Sequence, residues 1–225
     1  TIMLIPSSKK KFGPKSLSGL VIWLRADLGI TLNSGNVSSW ADQSGNGNNL
    51  TQGTASQQPL FVASGSKGKP YVKSDGVNDV LASSGSVWPA DTTTLVAVLS
   101  TRSGSSGEFF CDPGVGGDSR HHFYGASETA IQRLTSGPSK TLTSQTTSYI
   151  VYTASGLVES LYLIGGSATT TSATRPGSAN NILNIFAVGA AAVLPRSFDL
   201  YEFMIYNRVL SATEISKINA YCSRR

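Results

Sequence analysis

The chain is poor in charge. Asp, Glu, Lys and Arg make up 14% of it, against roughly a quarter in an average soluble domain. Its polar surface must therefore come from Ser, Thr, Asn and Gln, a balance that suits extracellular and particle-borne β proteins better than cytosolic metabolic enzymes. Cysteine is almost absent: only Cys111 and Cys222 occur, without CxxC or Cys/His zinc spacing. That excludes a disulfide-rich scaffold and a zinc finger. A single long-range bridge and two free, half-buried thiols both remain open. The 2 histidines, His121 and His122, are adjacent, and as strand neighbours their rings point to opposite faces. There is no G-x-S-x-G elbow. The Gly114–Gly117 stretch lacks the lysine and following helix of a phosphate-binding loop. The longest apolar run, 182–194, is interrupted by Asn184 and too short for a bilayer, so no membrane insertion is expected. The opening apolar stretch precedes its lysines instead of following them, unlike a secretory signal; synthesis in the cytoplasm is expected.

The net charge of +5 is concentrated at the ends. Lys9, Lys10, Lys11 and Lys15 open the chain, Arg224 and Arg225 close it, and the remaining basic residues nearly balance the 13 acidic ones. A near-neutral body without a basic stripe argues against nucleic acid. Residues 1–15 read as an arm with an apolar tip (Ile2, Leu4, Ile5) and a basic run (Lys9, Lys10, Lys11). Such a segment is either solvated or tied down by docking on its own domain or a neighbour. Residues 16–225 are expected to form one domain, long enough to bury a core without disulfides or metals.

What the chain does contain is short β-rich runs between Gly, Ser, Asn and Pro punctuation. This is the pattern of an all-β sandwich or barrel. Strands are predicted at Leu20–Arg25, Val37–Ala41, Leu60–Val62, Tyr71–Ser74, Val80–Ser83, Thr93–Ser100 and Glu108–Cys111. Further strands are predicted at His122–Tyr124, Ala130–Leu134, Tyr149–Ala154, Glu159–Ile164, Ile182–Val188 and Phe198–Tyr206. Thr93–Ser100 and Tyr149–Ala154 are the densest in β-branched and aromatic residues. Turn chemistry is explicit at Ser44–Asn48, Asp75-Gly76, Gly165-Gly166 and Pro176-Gly177. One helix closes the chain: Ser211 and Glu214 form a capping box, and Ile215, Ile218, Tyr221 and Cys222 give one apolar stripe. Lys217 and Asn219 are expected outside.

Leu20–Asp27 with Val37–Leu50, then Lys69–Leu81, then Phe198–Glu214 occur in an order and spacing that resembles the concanavalin A-like lectin/glucanase superfamily, in its laminin-G-like jelly-roll branch. The resemblance implies an antiparallel two-sheet β-sandwich with the first and last segments adjacent and one short C-terminal helix. Within it, Trp23 and Trp40 read as packing residues, and Asp42 with Ser44–Asn49 as a turn whose side chains bond their own backbone. The resemblance also raises calcium, for which Asp42, Asn46, Asn48, Asp75 and Asp79 supply oxygens of the right hardness. Without EF-hand spacing, turn chemistry explains each of them, and no cofactor is expected. The glucanase relatives carry clustered acids along one strand. Here Asp199 and Glu202, three apart, are expected on opposite faces, and Asp75 and Asp79 are separated by a turn. No catalysis is expected.

If the sandwich binds glycans, exposed rings and polar groups should mark the site. Trp88, beside Pro89 in a Ser/Gly-rich stretch, is one candidate. Arg120, His121, Tyr124 and Arg133 form a second polar-aromatic group. For each, ordinary surface or cross-strand packing is the plainer reading. The functional expectation is a non-catalytic structural or adhesion protein at a virion surface, as a head-decoration, fibre or tail component, whose arm meets copies of itself or other virion proteins. Alternatives are a stand-alone carbohydrate-binding module, extracellular or at a cell surface and facing cell-surface glycans, or, third, a polysaccharide hydrolase or lyase. Fold alone decides none of these.

Overall fold

A computed structural model describes residues 11–89, 92–102, 107–111, 122–125, 130–133, 137–143, 145–163, 166–172, 182–187 and 195–224. Seven strands come from the first half: β1 (Leu20–Arg25), β2 (Ile30–Asn33), β3 (Asn36–Trp40), β4 (Leu50–Thr51), β5 (Leu60–Val62), β6 (Tyr71–Lys73) and β7 (Leu81–Ser86). The middle supplies β8 (Thr92–Thr101), β9 (Gly107–Cys111), β10 (His122–Gly125), β11 (Ala130–Arg133) and β12 (Ser139–Thr141). Then follow β13 (Thr147–Ser155), β14 (Val158–Leu163), β15 (Thr169–Ser172), β16 (Ile182–Ile185), β17 (Phe198–Tyr206) and the helix α1 (Ala212–Cys222). Every pairing among the described residues is antiparallel.

The ladders fall into two layers. One runs β1–β17–β8–β13–β14–β15, with β6 continuing the β1 edge of β17. The other runs β2–β3–β4–β7–β16–β9–β10–β11–β12. β5 pairs with both β3 and β6 and so joins the layers at one corner. The first and last strands lie side by side, Trp23 opposite Met204.

The layers are held by what lies between them. Leu24, Leu95, Ala97, Leu99, Tyr152, Phe203 and Ile205 of the first layer share one cluster with Val37, Trp40, Leu81, Phe110, Phe123 and Ile185 of the second. The rings of Phe110 and Phe203 approach to 4.9 Å between centroids across this interior, a geometry that adds to the burial itself. The outer face of the first layer is also apolar, because α1 covers it. Val96, Val98, Val151, Met204 and Tyr206 alternate with the inner residues and pack against Ile218 and Cys222. Phe12 joins them edge-on to Tyr221, and Tyr206 donates its hydroxyl hydrogen bond to the Pro14 carbonyl.

The helix begins as its sequence directs. Ser211 accepts from the Glu214 amide and Glu214 accepts from the Ser211 amide. Arg208 beside Glu214, with the Ser211 amide, holds that carboxyl down at about 2. Lys217 is exposed, whereas Asn219 is only half exposed with its Oδ1 buried, so one of the two outward expectations needs correction. Both cysteines are buried and outside any disulfide, Cys111 on β9 in the second layer and Cys222 at the end of α1. No helix among the described residues is long and apolar enough to cross a membrane.

Two expectations about carboxylates are also corrected. On β17 the register slips between Leu200 and Glu202. This bulge inserts Tyr201 and resets the alternation. Asp199 and Glu202 therefore both face outward: Asp199 meets Arg102, and Glu202 accepts from Trp23 Nε1 (2.6 Å) and Tyr221 (2.7 Å). The Asp75–Asp79 turn, in turn, brings its two acids together, since the Asp75 amide donates to Asp79 Oδ2 at 2.8 Å.

Candidate functional site

The loop after β3 holds three of the residues considered for calcium. Asp42 Oδ1 accepts from the amides of Trp23 (2.9 Å) and Ser44 (2.7 Å), and Oδ2 from the Ser44 hydroxyl and the Asn48 amide. Asn46 and Asn48 donate their side-chain amides to the Val21 carbonyl. The loop thus straps the free edge of β1 and satisfies backbone groups that an edge strand leaves open. Both Asp42 carboxylate oxygens are engaged by N–H and O–H donors. Among the described residues no group of three or more His, Cys, Asp or Glu could hold a metal. Asp42→Ala should lower the unfolding free energy by about 2 kcal/mol through its lost charged hydrogen bonds, and calcium or a chelator should leave the melting temperature unchanged.

A polar groove opens where β5 and β6 turn the corner between the layers. It has a volume of about 610 Å³ and is lined by Asn36, Gln58, Lys73, Asp75, Asp79, Arg102 and Gln145, among others. A smaller hollow of about 290 Å³ shares Arg102 and Gln145 with it and adds Tyr71, Asp199 and Tyr201. Arg102 stands at the junction. Its Nε and Nη2 donate to Asp199 at 2.6 and 2.8 Å, and Nη2 also to the Tyr71 hydroxyl at 3.2 Å. This fork geometry fixes the guanidinium plane and leaves Nη1 as the donor not engaged by these partners.

The local sequence explains the placement. Arg102 follows the longest strand, β8, whose buried run Thr93–Thr101 anchors it. Gly65 has no Cβ where one would stand 2.4 Å from the Tyr71 ring, so glycine lets the chain lie against that ring. Gln145 holds φ +59°, a left-handed conformation that costs a non-glycine residue about 1 kcal/mol or more and clusters at functional sites. Burial pushes the Asp199 carboxyl up even though Arg102 opposes it, while the bond to Asp199 pushes Arg102 up. Asp79, on the groove wall, is raised to about 6. Burial is the main cause; the Asp75 amide lowers it and the nearby Asp75 carboxylate raises it.

The residues expected at a sugar site fare differently. Trp88 is corrected: it is 3% exposed, lies parallel to Phe123 at 6.3 Å and donates from Nε1 to the Cys111 carbonyl. A ring enclosed in the core offers no face to a sugar. Arg120 and His121 lie outside the described residues. Tyr124 and Arg133 fall on the paired strands β10 and β11, but their side chains lie outside the described residues. So do Ile2, Leu4, Ile5, Lys9 and Lys10 of the arm; Lys11 is exposed. Trp23 and Trp40 are core residues, as expected. Lys73, Asp75 and Asp79 lie in the Lys69–Leu81 stretch singled out above, whereas Asn36, Gln58, Arg102 and Gln145 come from separate stretches that no motif marks. For Arg102 the one sequence signal was a lone arginine directly after one of the strands densest in β-branched residues.

With this geometry in view, the fold can be set beside known ones. No family model matches the chain, and no curated protein matches its sequence. The binding domain of Paraclostridial mosquitocidal protein 1 superposes with a TM-score of 0.65, at 16% identity, over 92% of this chain and 53% of that one. The receptor-binding domain of botulinum neurotoxin type G does so with 0.62, at 14% identity, over 91% and 51%. Trypanosoma rangeli sialidase in complex with 2,3-difluoro-KDN gives 0.62, at 18% identity, over 97% and 35%. The fold they share with this chain is a two-layer antiparallel β-sandwich. The chain spans about a third of the sialidase and half of each toxin domain, and at these identities the likeness concerns the fold alone.

Proposed function

We propose that the chain is a non-catalytic carbohydrate-binding domain of the concanavalin A-like, laminin-G-like kind, taking glycans in the groove around Arg102. The observation that carries this reading is the fixed guanidinium at the meeting of two polar hollows, with Nη1 turned to neither Asp199 nor Tyr71. Amides of Asn36 and Gln145 and the carboxylates of Asp75 and Asp79 surround it, the residue types that bond sugar hydroxyls. The fold it shares with two toxin binding domains supports a binding role. The groove carboxylates favour binding over hydrolysis. Asp75 and Asp79 share one turn, where the Asp75 amide holds Asp79 Oδ2 at 2.8 Å, and they are the only two carboxylates among the described residues lining the groove.

Adhesion at a virion or cell surface is the setting proposed for such a domain. Copies in symmetric array by native mass or cryo-imaging would support the virion version, and a free monomer would sink it. The carbohydrate reading is tested on a glycan array. Gln145→Gly removes the amide while relaxing the left-handed backbone, so folding should be retained and binding should fall several-fold. Arg102→Ala should weaken binding by roughly tenfold or more, the scale of one charged hydrogen bond. If both variants bind as the parent does, the groove is not the site.

A further inference from the structure

The groove holds one group that the fold would be more stable without. Asp79 is 5% exposed, yet no Lys or Arg is bonded to it. Three charged groups line the groove with it, and a fourth lies beyond Arg102. Asp75 belongs to the same turn; Lys73 ends β6 and acts on Asp199; Arg102 follows β8 and is engaged by Asp199 and Tyr71; and Asp199 lies on β17. The only N–H that Asp79 receives among the described residues is the Asp75 amide on Oδ2. Oδ1 receives none, although the residue lines the groove. A buried acid without a cation is expensive, and an acid so placed in a cleft is a candidate functional group.

We propose that Asp79 and Asp75 together accept hydroxyls of a bound neutral sugar, and that protonation of Asp79 from solvent releases it. This rests on the carbohydrate reading above and names its ligand class. Two carboxylates on one wall repel sialylated and uronic glycans. Hydroxyl donors at Oδ1, the oxygen that takes no N–H, offset the cost of the buried charge, so the ionised acid and the ligand stabilise one another. Protonation removes one acceptor and lets the pair share its proton internally. Because burial holds Asp79 near 6, this exchange falls between about pH 5 and pH 7.

The test is an array of printed neutral and sialylated glycans, probed with the parent chain, Asp79→Asn and Arg102→Ala at about pH 8 and about pH 5. The parent should hold neutral glycans at the higher pH and bind them roughly tenfold more weakly at the lower one. Asp79→Asn keeps an acceptor for the Asp75 amide, so it should fold, bind weakly and show no dependence on pH. A preference for sialylated glycans, or an Asp79→Asn profile identical to the parent's, would overturn the proposal. Loss of binding in Arg102→Ala but not in Asp79→Asn would overturn it while leaving the groove as the site. No binding by the parent at either pH would remove the carbohydrate reading and this proposal with it.

Discussion

Trp88→Ala should lower the unfolding free energy by about 3–5 kcal/mol, the range for deleting a large buried ring. The ring is enclosed beside Phe123, and its removal leaves a cavity and takes away the Nε1 donor from which the Cys111 carbonyl accepts at 3.3 Å. The second layer is held to the first through that aromatic interior, where Phe123 also meets Tyr152 edge-on at 4.8 Å. Denaturant unfolding measures the loss directly. A tryptophan serving as an exposed sugar platform would give the opposite pattern, with stability unchanged and glycan binding abolished. Trp88→Phe, which keeps most of the volume, should cost much less.

Asp79→Asn should instead stabilise the protein, by about 2–3 kcal/mol at neutral pH and by almost nothing at about pH 4. The sign follows from linkage. The folded-state value near 6 lies above the ordinary 3.8, so between these values the folded chain binds more protons than the unfolded one. The contribution of Asp79 to stability therefore falls as pH rises from about 4 to about 6, and above that range the full cost of the buried charge remains. Asparagine carries no charge to bury and can still accept from the Asp75 amide. Unfolding curves of both proteins across this range should converge at the acidic end and separate toward neutrality. Curves that stay parallel would show that Asp79 is not held up by burial. A residue retained against stability is expected where function needs it.

The comparison of these two positions shows what local sequence can carry. Trp88 sits among Ser, Gly and Pro and reads as surface, because composition describes a residue's neighbours along the chain and not those across the sandwich. Its burial depends on β10, thirty-odd residues away in sequence. The turn at Asp75-Gly76 is legible in two residues, with Gly76 at φ +79° and no room for a Cβ against Ser197. That the turn lowers two acids into a groove is not.

By itself the sequence determined the fold class, the central strands and the terminal helix. β1, β5 and β17 match their predicted limits, because β-branched and aromatic density and a capping box are local properties. The short strands β2, β4, β12 and β15 were not predicted; two to four polar-rich residues at an edge or corner are strands only because a neighbour pairs with them. Tertiary structure alone decided the face of Glu202, since a bulge shifts alternation without any mark in composition. It also decided the site. Asn36, Lys73, Asp79, Arg102 and Gln145 meet because β5 and β6 turn a corner beside the end of β8, and such convergence of distant segments is set by packing, which no run of neighbouring residues encodes.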